Sequence, residues 1–170
     1  MLLKRPVSTG FTLIETLIVV AILLVLAGMA VPSWSGLMDD AEVTSVRQEL
    51  QRTRIAIDYY AFQHGENLPG KSPSSSVWNE SALLGQLMSA TDANGNWAAA
   101  GSTGFHFGPY LLDTFPHNPF NDQSSVIVIA PNGSFSGPNN RSGWVYFAAS
   151  GTFKANSTAL TPDGTPVFDL

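Results

Sequence analysis

Glu15 is the residue whose placement asks for chemistry. It stands at the mouth of an apolar run: Thr16 to Val31 reads TLIVVAILLVLAGMAV, and no charged residue follows Glu15 until Asp39. A carboxylate carried to the centre of a bilayer costs about 2–3 kcal/mol, so an acid retained beside such a run is expected to serve a function. Other reactive groups are sparse. His64, His106 and His117 lack the spacing of metal ligands. Asp163 and Asp169, with Asp122 further off, are the candidates for calcium, although Thr161-Pro-Asp-Gly-Thr-Pro166 also reads as a solvated turn. The chain has no cysteine, which removes disulfides, thiolate zinc sites and cysteine nucleophiles. Neither a Gly-x-Ser-x-Gly elbow nor a phosphate-binding or dinucleotide fingerprint occurs. No catalytic residue is expected, and no cofactor beyond that possible calcium ion.

The elements that must position Glu15 follow from the pattern around it. From Phe11 to Val31 the apolar stretch runs about 21 residues, enough to cross a bilayer core as a helix. Lys4 and Arg5 precede it, and Asp39, Asp40 and Glu42 follow, so the N-terminus is expected in the cytoplasm and the rest outside it. The same pattern also describes a cleavable secretory signal with a small-residue site at Gly28-Met29-Ala30, followed by a secreted enzyme or binding domain. Beyond Asp39, Val43, Val46, Leu50, Thr53, Ile57 and Tyr60 recur at alternating three and four spacing, which predicts an amphipathic helix. His64-Gly65 is its expected stop. Asn79 or Ser81 is expected to cap a short helix carrying Leu83, Leu84, Leu87 and Met88. Residues 92–104 read as loop, and Val126–Ala130, Trp144–Ala148 and Thr152–Ala155 read as strands of an antiparallel sheet. Only 12% of the 170 residues are charged, about half the usual share, and the net charge of −5 argues against a general binder of nucleic acid or anionic membrane.

Gly10-Phe11-Thr12-Leu13-Ile14-Glu15 resembles the N-terminus of type IV pilins and of type II secretion pseudopilins. Gly108-Pro-Tyr-Leu, Pro116-x-Asn-Pro119, Gly143-Trp-Val-Tyr and Ser150-Gly-Thr-Phe are fainter likenesses to pseudopilin heads. The resemblance implies an α+β pilin-like fold, with a long kinked N-terminal helix, its first half transmembrane, packed on a small antiparallel sheet. It divides the chain into a leader at 1–10, a membrane and filament-core helix at 11–32, its amphipathic continuation at 33–64 and a head at 65–170. A prepilin peptidase would cut between Gly10 and Phe11 and methylate Phe11. Removing Lys4 and Arg5 with the leader would take the net charge from −5 to −7. Glu15 would pair with a neighbour's N-terminal ammonium and set register in the filament, and Pro32 would kink the helix. The implied partners are other copies or pilin-like subunits, an inner-membrane platform and a cytoplasmic ATPase. The implied place is the bacterial inner membrane with a periplasmic head. Secretion by a periplasm-spanning pseudopilus is the leading role; a type IV pilus for adhesion, motility or DNA uptake is the rival.

Overall fold

The computed structural model describes residues 10–170 except residue 113; within the first helix, nothing is described of side chains 29–39. Most of the expected leader and the Pro32 kink therefore lie outside the described residues. The chain divides into two compact units, residues 1–38 and 39–170. Helix α1 is assigned from Leu13 to Gln63. Its amphipathic half, from Asp39 onward, belongs to the second unit together with residues 65–170.

In the first unit the described part of α1 is apolar on every side. Among the described residues no helix is long and apolar enough to cross a membrane. The membrane-spanning half expected at 11–32 is thus not met by what is described. The described side chains stop at Gly28, short of the roughly 20 apolar residues that a span needs.

In the second unit the predicted stripe is the buried face of α1. Val43 and Tyr60 are buried, and Val46, Leu50, Thr53 and Ile57 are almost wholly so. Val46, Leu50, Ile57 and Tyr60 share one core with Trp144, Tyr146 and Phe153. Arg54 joins the helix to the sheet by donating from Nε and Nη2 to the Phe153 carbonyl, at 3.0 and 2.8 Å. The helix stops where expected. Gly65 takes φ +61°, and the Glu66 N–H turns back to the Ala61 carbonyl at 2.8 Å, closing the orphaned end.

Helix α2 spans Glu80–Met88 and is capped by Asn79, whose Oδ1 accepts the Ala82 N–H at 2.8 Å. Two short strands follow, β1 (Ala90–Thr91) and β2 (Trp97–Ala98), paired antiparallel. This hairpin stands where loop was expected. Asp92 builds its turn by accepting the N–H groups of Asn94 and Asn96, each at 2.9 Å.

The main sheet has the order β3 (Val126–Ile129), β4 (Trp144–Phe147) and β5 (Thr152–Ala155). The β4–β5 hairpin is antiparallel, as expected. Strand β3 differs: it runs parallel to β4. Residues 130–143 supply the long return that a parallel pair needs, whereas a short turn would have forced an antiparallel one. Asn118 and Asn156 secure that return; Asn118 Nδ2 donates to the Gly143 carbonyl at 2.8 Å and Asn156 Nδ2 donates to Ser142 Oγ at 2.8 Å. The α+β architecture, a helix packed on a small sheet, is otherwise the expected one.

Candidate functional site

Residues 10–15 form the start of α1. Gly10 is exposed, and a Cβ built there would meet nothing within 4 Å. The chain itself makes no steric demand for glycine at this position; such a demand would come from whatever grips the backbone. Phe11 is 84% exposed.

Glu15 is held by Thr12. Its Oε2 accepts both the Thr12 N–H and the Thr12 hydroxyl, each at 2.8 Å, and the Glu15 N–H donates to Thr12 Oγ1 at 3.3 Å. This is a capping box: the side chains at the two ends of the first turn satisfy each other's backbone donors. Sequence reasoning overlooked Thr12, although Thr12-Leu13-Ile14-Glu15 carries the Thr-x-x-Glu spacing. The consequence is chemical. The carboxylate is oriented toward the chain's N-terminal end within its own subunit, and among the described residues no hydrogen bond forms to Oε1. One oxygen holds the helix start while the other is open to an incoming cation.

Behind Glu15 the helix is wrapped in exposed hydrocarbon. Every large apolar side chain from Phe11 to Leu26 is more than half exposed. A helix apolar all round is stable only among other helices or in lipid. In the head, α1 also exposes Ile55, Tyr59 and Phe62, which recur at helical spacing.

The weaker candidates are engaged locally. Asp163 accepts the Thr161 hydroxyl and contacts the Thr165 N–H at 3.4 Å. The Thr161 bond, followed by that from Thr165, holds the Asp163 carboxyl below its ordinary range. Asp169 lies 3.4 Å from Lys154 Nζ. Among the described residues no group of three or more His, Cys, Asp or Glu could hold a metal ion. His106 is exposed, and His117 lies 3.6 Å from Asp122. His64 is buried, with Nδ1 2.9 Å from the Tyr60 carbonyl and Nε2 3.0 Å from the Asp92 carbonyl. It stacks on the Tyr60 ring at 3.9 Å and ties the end of α1 to the β1–β2 hairpin.

Residues 5–31 match the prokaryotic N-terminal methylation motif. The type II secretion system core protein G of Pseudomonas aeruginosa is 33% identical over 97 residues, covering 50% of this chain and 68% of that protein. This chain belongs to the type IV pilin and type II secretion pseudopilin family. A fimbrial protein of Neisseria meningitidis serogroup B is 31% identical over 88 residues, covering 52% of this chain and 51% of that one. The type IV major alpha-pilin of Moraxella bovis is 34% identical over 97 residues, covering 56% and 60%. The pilin-like chain thus spans about half to two thirds of the length of the curated relatives it matches. No solved structure matches it.

Proposed function

We propose that this pilin-like subunit is cut between Gly10 and Phe11, methylated at the new Phe11 amine, and polymerised into a periplasm-spanning pseudopilus for type II secretion. The observation that carries the reading is the capped Glu15 at the head of a helix whose apolar side chains are exposed all round. Such a surface needs a host. Before assembly the host is the inner membrane, with the leader in the cytoplasm and the head in the periplasm. After assembly it is the helices of neighbouring subunits. Hydrolysis of the Gly10–Phe11 amide creates an ammonium near the first turn. Glu15 Oε1 then receives the ammonium of a neighbouring subunit, which fixes register more than it adds stability. Calcium at Asp163 or Asp169 is not needed for any of these steps. The prepilin peptidase, an inner-membrane platform and a cytoplasmic ATPase complete the assembly.

Core protein G, the relative of which this chain covers the larger share, favours the secretion role. The fimbrial and pilin relatives favour a second reading, a type IV pilus for adhesion, motility or DNA uptake. Mass spectrometry of the mature N-terminus tests the shared part: a methylated Phe11 is expected, and a start near Val31 refutes it. Glu15→Val should leave cleavage intact and reduce filament yield; normal filaments from that strain would remove the register role. A secretion assay in a deletion strain separates the two readings.

A further inference from the structure

The head contains a cleft that neither processing nor polymerisation uses. One wall is the short ribbon 70–79. Lys71 and Trp78 form an antiparallel bridge, Ser72 N–H donates to the Val77 carbonyl at 2.9 Å, and Asn79 N–H donates to the Gly70 carbonyl at 2.9 Å. Directly opposed residues in an antiparallel pair project from the same face. The half-buried indole of Trp78 and the exposed Lys71 chain therefore stand side by side. The other wall is the turn of the β1–β2 hairpin, at Asn94 and Gly95. Between the walls lies a cavity of about 500 Å³, open to solvent, of the size that holds small ligands.

Its floor carries an unused polar group. Tyr60 is 3% exposed, and a Cβ at Gly95 would stand 2.7 Å from its hydroxyl. Among the described residues that hydroxyl has no hydrogen-bond partner. A hydroxyl that reaches an open cavity without a protein partner is a place for a polar ligand atom. Both walls are fixed in place. Gln86 accepts the Gly70 N–H at 2.7 Å and donates to the Lys71 and Gly95 carbonyls at 3.0 and 2.9 Å. The cleft is thus held open by a satisfied, buried amide.

We propose that this cleft binds an acidic sugar, a uronic acid residue of a glycan. The face of a pyranose ring is apolar and stacks on an indole. Its hydroxyls suit the Asn67 and Asn94 amides at the rim and the Tyr60 phenol at the floor. Its carboxylate suits Lys71, which has no ion-pair partner among the described residues. A neutral sugar would leave Lys71 unused. A nucleotide would bring more negative charge than one lysine can meet, on a chain whose net charge is already −5. The site is independent of filament assembly, so its loss would leave the processing reading untouched.

The test uses the full chain in a detergent without a sugar headgroup. A galacturonic acid trimer is titrated while tryptophan fluorescence is followed, with Trp78→Phe as the reference that assigns the signal. Saturable binding with a dissociation constant of about 0.1–1 mM is expected. The neutral methyl ester of the same trimer should bind about fivefold more weakly, and Lys71→Gln should weaken the acid to the same degree. Lys71 is exposed, so this variant keeps the fold, which circular dichroism verifies. Absence of saturation up to about 10 mM overturns the site. Equal affinity for acid and ester overturns the role of Lys71. Tighter binding of adenosine monophosphate than of the trimer overturns the sugar assignment.

Discussion

Gln86→Leu is the substitution that most directly probes how the head holds its shape. The side chain is 2% exposed and makes three hydrogen bonds, two of them to the buried Gly70 N–H and Gly95 carbonyl. Leucine fills a similar volume but leaves both groups unpaired. Each buried orphan costs about 1–3 kcal/mol. The third acceptor, the Lys71 carbonyl, is only partly buried and can turn to water. Replacing a buried amide by an alkyl chain returns part of the loss, about 1–2 kcal/mol. The net destabilisation is about 1–4 kcal/mol, a large part of the total for a domain of this size. Thermal unfolding of the full chain in detergent, followed by circular dichroism, should show the midpoint of the head lowered by about 4–16 °C. Uronate binding should weaken with it, because both walls of the cleft hang on this amide. A midpoint within about 2 °C of the parent would refute the accounting.

Two further substitutions test the head from other directions. At Asp92, burial alone would raise the carboxyl, yet the Asn96 side chain and backbone, the Asn94 backbone and nearby His64 together bring it below its ordinary range. A lowered carboxyl gives stability that is present above the unfolded value of about 3.9 and lost as pH falls through the folded one. The parent should therefore exceed Asp92→Asn in stability at neutral pH, and urea titrations should show the gap closing below about pH 4. A gap that persists unchanged in acid would show that the turn does not use the charge. At Gly143, a Cβ would collide with the Gln123 carbonyl, so Gly143→Ala must displace the strand entry. A loss of about 2 kcal/mol or more in unfolding free energy, read from urea titration, is expected, and a neutral effect would mean that the 123–125 segment yields freely.

Much of the fold is legible in the linear pattern because it arises from local physics. The stripe Val43, Val46, Leu50, Thr53, Ile57 and Tyr60 is buried as its periodicity required. Gly65 stops α1 and Asn79 caps α2, since both depend only on neighbours a few residues away. What escaped is non-local or too short to show a period. Strands β1 and β2 have two residues each, so alternation cannot reveal them; the Asp92 to Asn96 turn was the only available sign. The direction of β3 depends on where the 130–143 return lands, which hydrophobic patterning does not encode.

The candidate site divides the same way. By itself the sequence determined that Gly10, Phe11 and Glu15 head an apolar helix, because a motif read by an enzyme or a membrane must be contiguous in the chain. It also determined the absence of thiol chemistry. Tertiary structure alone decided which groups are already spoken for. Glu15 spends one oxygen on Thr12, His64 is clamped between the Tyr60 and Asp92 carbonyls, and Asp163 and Asp169 are engaged within their own surroundings. Tertiary structure also set the Tyr60 phenol beneath Lys71, Trp78 and Asn94. Their separation along the chain hides that grouping, and only the packing of a ribbon and a hairpin over α1 brings it about.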